Sequence, residues 1–191
     1  MRFLLQKLRT LIKIIHLFRI RRKYYSEIRR TGGYVQTKGL MFDVYGSFIF
    51  GNNLIINTIG VDIFTNSHIV VCQNAILSIG SNSGITSTAI YCAEKIEIGN
   101  YVNIGAGCLV MDTNFHSTNW MIRMDRKRDI INAKTAPVKI DDFVFIGARS
   151  IICKGVHIGE KSLVAAGSVV VKDIPAGELW GGNPAKFIKK I

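Results

Sequence analysis

Aliphatic residues recur at every sixth position from Ile140 onward: Ile140, Ile146, Ile152, Ile158, Val164 and Val170 keep one phase without a miss. Upstream, the same phase runs through Ile98, Ile104 and Val110. Gly or Ala follows at Gly99, Gly105, Gly147, Gly159 and Ala165. A short internal period of six is the signature of a parallel β-helix, a solenoid in which each repeat buries its aliphatic residue only by stacking on its neighbours.

A strand rises ~3.3 Å per residue, so one hexad makes a side of roughly 20 Å, and three hexads close a triangular coil of about eighteen residues. The aliphatic residue points inward, and the small residue after it leaves room for the corner. Cys108, Ser150, Ser162 and Ser168, four positions beyond it, belong inside near the next corner. Stacked coils then form a parallel sheet on each side.

Between Leu40 and Ser78 the chain is apolar and Asn-rich with a blurred phase, which predicts irregular first coils. Asn52, Asn53, Asn66 and Asn74 suit corners because Asn tolerates left-handed backbone. Ile79, Ile85 and Tyr91 restore the period, and one extra residue before Ile98 predicts a bulge near Glu94 and Lys95. About six coils are expected. From Asp112 to Pro137 the period stops, in a segment that holds His116, Trp120 and the charges Asp125 to Asp129. Loops longer than ~12–15 residues inside a compact repeat are usually functional. The repeat resumes at Val138 and runs to Pro175, and Gly177, Gly181, Gly182 and Pro184 then turn the chain into a short basic tail. The expected organisation is therefore a helix and linker over 1–38, a β-helix over 39–175 with an excursion at 112–137, and a tail over 176–191.

The stretches IEIGNYVNIGAGCLVMDTNFH, VKIDDFVFIGARSIICKGVHIGEKSLVAAGSVVVKDIPAG and GGNPAKFIKKI carry a family resemblance. From about Ile79 to its end the chain resembles the hexapeptide-repeat acyltransferases. Among them it resembles the branch of bacterial sugar O-acetyltransferases typified by the maltose, galactoside, capsule and colanic acid acetyltransferases. The resemblance implies an all-β, left-handed parallel β-helix, a hand that the general right-handed rule for parallel crossovers would not give. It also implies acetyl-CoA as co-substrate, a saccharide acceptor, no metal, and a homotrimer with donor and acceptor meeting between subunits.

Acyl transfer to a hydroxyl needs a base, a group that orients the base, and donors for the tetrahedral oxyanion. A neutral imidazole suits the first role. His16 falls on the basic N-terminal segment, His157 at the outward end of its hexad and His68 in an irregular coil, whereas His116 sits where the repeat breaks. In the resembling family the catalytic histidine ends a D-x-x-x-H pattern, here Asp112 to His116. Asp112 is then a candidate orienter or hydroxyl ligand, with a main-chain carbonyl as the alternative orienter. Asn114 is a candidate for sugar hydroxyls, and Ser87 and Glu94, on the wall upstream, are candidates for acceptor contact. The resemblance places coenzyme contacts at Ala148, Ala166, Val171, Lys172, Lys186 and Lys189. The family often has Ser or Thr where Ala148 and Val171 stand, and Arg where Lys186 stands.

The 191 residues suit one domain, and their 48% hydrophobic content can fill a core. Charge changes the picture locally: ten Lys or Arg against Glu27 in residues 1–30 supply +9 of the net +12. There Leu4, Leu8, Leu11, Ile15 and Phe18 are spaced by three and four, which predicts a basic amphipathic helix to about Lys23. Such a helix docks on an anionic membrane surface or packs its apolar face on the β-helix or a neighbouring subunit. No nucleic-acid fold motif accompanies the charge, so nucleic acid is not an expected partner. Cys72, Cys92, Cys108 and Cys153 lack C-x-x-C spacing and read as packed, reduced thiols in a cytosolic setting. No apolar run approaches the ~20 residues that span a bilayer, and no signal-peptide pattern opens the chain.

Three rival functions fit the sequence less well. A zinc carbonic anhydrase on the same fold needs a second histidine near His116, and Met121 stands in that place. A non-catalytic trimeric scaffold has no use for a histidine at the interruption. Transfer of long acyl chains from a carrier protein goes with a helical C-terminal domain, whereas this chain ends sixteen residues after Pro175. The expected function is transfer of acetyl from acetyl-CoA to a sugar hydroxyl in surface-polysaccharide synthesis, with a sugar amine or other small acceptor as the alternative.

Overall fold

The structure, a computed structural model, describes residues 2–35, 41–57 and 67–191. The corner expected at Asn66, the boundary between residues 38 and 39, and the side chains of Leu4 and His16 lie outside the described residues.

Among the described residues three sheets wind around one core, and each coil up to His157–Ile158 gives one parallel strand to each sheet. The first wall runs from Tyr34–Val35 through Asn103–Ile104, Phe145–Ile146 and Leu163–Val164; the second includes Ala89–Cys92, Leu109–Met111 and Ile151–Ile152; the third includes Lys95–Ile98, Val138–Ile140 and His157–Ile158. All nine aliphatic residues of the six-residue phase are buried, with 0–3% exposure. Cys108, Ser150, Ser162 and Ser168 are buried too, so every later wall turns an i, i+2 pair inward. The serines stay satisfied: Ser150 Oγ donates to Gly147 O at 2.7 Å and Ser162 Oγ to Pro175 O at 2.6 Å.

Small residues after the aliphatic position are required by the next coil. A Cβ on Gly147 would come within 2.5 Å of Ala166 N, and one on Gly159 within 2.5 Å of Ala176 N. Corners use left-handed backbone at Asn53 (φ 56°) and Asn74 (φ 65°), as expected, and also at Tyr101 and Phe143, whose exposed rings stack 5.0 Å apart.

Two details of the early repeat differ from the sequence reading. Ile90, not Tyr91, is the inward residue that pairs with Val110; Tyr91 faces outward because the strand alternates and buries Ile90 with Cys92. The added length falls after Cys92, where Ala93 and Glu94 make the turn.

Ile140 pairs with Ile158, 18 residues on, whereas Ile98 pairs with Ile140, 42 residues on. The difference is the excursion, which leaves the corner between the second and third walls and returns to it. Its base is closed by Thr113 bridging Thr135, Asn114 N donating to Lys134 O (3.0 Å) and Ala136 N donating to Asp112 O (2.9 Å). At the far end the chain does not turn away after Pro175. Glu178–Gly181 extends the first wall, and Lys186–Lys190 folds back on it antiparallel.

The N-terminal end is covered by α1, Arg2–Arg30. Ile28 is buried, and Ile20, Tyr24 and Tyr25 pack against the core over Phe42 and Phe48. The helix therefore runs past Lys23 and into the segment expected to be a linker, because its last two turns supply the lid of the core.

Candidate functional site

Within the excursion two short helices form, α2 (Trp120–Arg123) and α3 (Arg126–Ile131). Asn119 caps the first by accepting from Met121 N at 3.0 Å, and Asp125 caps the second by accepting from Lys127 N and Arg128 N. One turn after Asp125 comes Asp129, 5% exposed in an otherwise exposed helix.

The Asp129 carboxylate joins two points of the chain before α2. Its Oδ1 accepts from Ser117 N at 2.7 Å, and its Oδ2 lies 2.6 Å from Nδ1 of His116. Arg123 adds a clamp from α2, donating to Ser117 O at 2.8 Å. The bond to His116 and the Ser117 amide hold the Asp129 carboxyl below the usual carboxylate range. An ionised carboxylate only accepts, so Nδ1 of His116 carries a proton, and in the neutral imidazole the lone pair is then on Nε2. With 67% of its side chain exposed, the His116 ring is accessible to a ligand. Held in this tautomer and orientation, the imidazole can act as a general base.

Asp112 does something else. Fully buried, it accepts from Ala93 N at 2.7 Å and from Glu94 N and Lys95 N at 2.8 Å. The orienting role expected of Asp112, or of a main-chain carbonyl, falls to Asp129. Three backbone donors use the Asp112 carboxylate to hold the turn between the second and third walls. Ser87 is likewise misplaced for acceptor contact: it is 1% exposed, at a corner with φ 44°.

Beside His116 the surface is aromatic. Phe115, at φ 60° and 37% exposed, sets its ring edge-on to Tyr91 with centroids 4.7 Å apart. A side-chain hydrogen bond with Cys72, and then burial, push the Tyr91 phenol up to about 12, so it is a neutral hydroxyl in the working range. Exposed Glu94 and Asn114 belong to the same corner, since Glu94 N is held by Asp112 and Asn114 follows two residues later.

The expected coenzyme contacts separate into groups. Ala148 and Ala166 stack at the corner between the first and second walls, where Gly167 N donates to Ala148 O at 2.8 Å. Val171 and Lys172 are exposed at the corner between the second and third walls, the one from which the excursion leaves. Lys186 and Lys189 lie on the final antiparallel strand, exposed. The grooves of about 550 Å³ on the third wall and about 380 Å³ on the first are lined by no excursion residue. On a single chain the His116 side chain is two-thirds exposed. His157 is exposed and paired with Asp141 at 2.7 Å, and His68 stands 3.6 Å from Asp43.

Sequence reasoning missed Asp129 as a partner, although the signal was present. Residues 113–137 contain two acids, Asp125 and Asp129, and Asp125 has the position of a helix cap.

A family model described as "Hexapeptide repeat of succinyl-transferase" matches residues 137–172. A tetrahydrodipicolinate N-acetyltransferase of Clostridium perfringens is 56% identical over 55 residues, which is 29% of this chain and 23% of that protein. The chain thus spans about a quarter of the length of that curated relative. Over far more of the chain the structure is similar to AntD, an N-acyltransferase from Bacillus cereus solved with dTDP and 3-hydroxybutyryl-CoA. That similarity has a TM-score of 0.60 and 26% identity, and covers 86% of this chain and 87% of AntD. A variant of AntD with dTDP-4-amino-4,6-dideoxyglucose and coenzyme A matches at TM-score 0.58 and 27% identity, covering 79% and 82%. The family model and these neighbours support the hexapeptide-repeat acyltransferase family.

Proposed function

We propose that the protein is an acetyl-CoA-dependent acetyltransferase that acetylates a sugar hydroxyl, with His116 as general base and Asp129 as the residue that positions it. The observation that carries this reading is the 2.6 Å His116–Asp129 pair, which occupies Nδ1 of an imidazole whose side chain is two-thirds exposed. As the acceptor oxygen attacks the thioester carbonyl, Nε2 takes its proton. The C–S bond then breaks and the proton passes to the departing thiolate.

The acceptor side fits a sugar. Tyr91 and Phe115 offer a neutral aromatic surface, and Glu94 and Asn114 bring acceptors and donors for hydroxyls. A role in surface-polysaccharide synthesis, and a left-handed winding, rest on the resemblance of the repeat segments. The similarity to AntD favours a second reading in which the acceptor is an amino group on a nucleotide-linked sugar.

For the donor, Ala148 and Ala166 offer backbone along one edge of the second wall, and Lys172 offers charge on the other. A second copy beside this wall would bring one edge against the other and cover the exposed His116. Homotrimeric assembly follows from this reading. Trp120, Met124, Ile130 and Ile131, each at least 60% exposed on the excursion, are surfaces that a neighbouring copy would cover. Such an enzyme works where acetyl-CoA is available, in the cytoplasm, a setting that four free thiols suit.

The test is thiol release from acetyl-CoA with purified protein and a panel of oligosaccharides, nucleotide sugars and amino sugars, with products read by mass and NMR. An O-acetyl product supports the first reading and an N-acetyl product the second. Absence of turnover across the panel, from a folded trimer, would leave a scaffold.

A further inference from the structure

The two halves of α1 carry different surfaces. Over its last turns the helix is fixed to the body: Ile28 is buried, the Tyr24 ring lies 5.4 Å from both Phe42 and Phe48, and Arg21 meets Asp43 at 3.3 Å. Toward its start, Leu8, Leu11, Ile12, Ile15 and Phe18 are 45–66% exposed. At 3.6 residues per turn these five fall within about 120° of arc, whereas Ile20, Tyr24 and Ile28 fall on roughly the opposite side. The apolar stripe therefore does not continue the capping face. It points away from the body that the cap covers.

Charge decides what could cover it. Residues 2–26 contain eight Lys or Arg and no acid. An identical helix laid against the stripe would bring two sets of positive charge together with no carboxylate between them. An anionic surface satisfies both features at once, taking the stripe into the acyl boundary and the basic flank into the headgroups. No described helix is long and apolar enough to cross a membrane, so such a helix would lie in the interface.

We propose that the segment from Lys7 to Arg19 is an in-plane anchor for an anionic lipid surface, and that the capping turns from Ile20 to Ile28 couple it rigidly to the β-helix. The anchor is independent of which acceptor is acetylated. Three copies on one trimer would bind by avidity.

Deleting the whole helix would uncover Phe42 and Phe48, so the test uses substitutions ahead of the cap. The full chain is floated with vesicles of phosphatidylcholine alone and with vesicles that also contain phosphatidylglycerol, at low and high salt. The parent should float with the anionic vesicles, at least ~10-fold less with neutral ones, and be released by salt. Leu11→Glu combined with Ile15→Glu should lose ~10-fold or more of that binding while melting point and oligomeric state stay those of the parent. Failure of the parent to float with anionic vesicles would overturn the proposal. So would a double variant that floats like the parent but changes oligomeric state, which would make the stripe a contact between copies.

Discussion

His116 and Asp129 meet at 2.6 Å across thirteen residues of chain, because the interruption of the repeat folds into two capped helices rather than a loose loop. The same carboxylate holds the Ser117 amide at 2.7 Å, so the ring and the backbone beside it are fixed by one group. That arrangement makes Asp129 separable from His116 by experiment.

His116→Ala should lower the turnover rate ~10²- to 10⁴-fold, the range for loss of a general base, without changing the fold. Asp129→Asn should cost less, about 10- to 10³-fold. It keeps shape but offers an amide where a carboxylate selects the tautomer. In both variants kcat should fall while KM for acetyl-CoA stays near that of the parent. Turnover by His116→Ala at the parent's rate would end the catalytic assignment.

The depressed Asp129 carboxyl also gives a pH dependence of stability. Its folded value lies below the ordinary one, so its contribution is complete above about pH 4 and is lost as pH falls through the folded value. Melting points of the parent and Asp129→Asn should therefore differ by a constant amount near neutrality and converge in acid. A gap that widens on acidification would contradict this sign.

Much of the fold was legible because one inward position every six residues is a strong constraint: Ile98 to Val170 read correctly as the core. The reading failed where that constraint was locally relaxed. Near Tyr91 the strand turns two residues inward, Ile90 and Cys92, so a single-phase count lands on the wrong neighbour. Asp129 escaped the sequence reading for a different reason. A motif spacing ties Asp112 to His116 along the chain, but their side chains do not meet, and the true partner comes from a helix that carries no hexad. Ser87 sits on the expected wall, yet burial follows from a corner geometry that spacing does not reveal.

Phe115 is held at φ 60°, a conformation that costs a side-chain-bearing residue on the order of 1 kcal/mol or more, with its ring against Tyr91. If that aromatic pair is the platform for the acceptor sugar, Phe115→Ala should raise KM for the acceptor about 5- to 50-fold and leave KM for acetyl-CoA unchanged. Equal changes in both constants would mean that the ring only supports the loop.

Gly147 faces the backbone of the next coil, where an added Cβ would sit 2.5 Å from Ala166 N. Gly147→Val should force the coils apart and destabilise by about 1–3 kcal/mol or more, a fall of several degrees in melting temperature for a chain of this length. Ala166 is also a proposed donor contact, so KM for acetyl-CoA should rise with it. An unchanged melting point would mean that the coils can separate locally at little cost.

The most discriminating variant is at Asp112, where the sequence motif and the structure assign different roles. Its carboxylate accepts three backbone N–H groups at 2.7–2.8 Å and is fully buried, so it has no free face for substrate. Asp112→Ala would leave those donors unpaired. With hydrogen bonds to a charged group contributing about 1.5–3 kcal/mol, the loss should be large enough to lower the melting point by many degrees. Asp112→Asn replaces one acceptor oxygen by an NH₂ that faces backbone donors, so it should destabilise as well, though less. Activity should follow the folded fraction in both: at temperatures where Asp112→Asn is fully folded, its kcat should be within a few-fold of the parent. If it instead keeps the parent's melting point and loses turnover ~100-fold, Asp112 acts on the chemistry directly, and Asp129 is not the residue that positions His116.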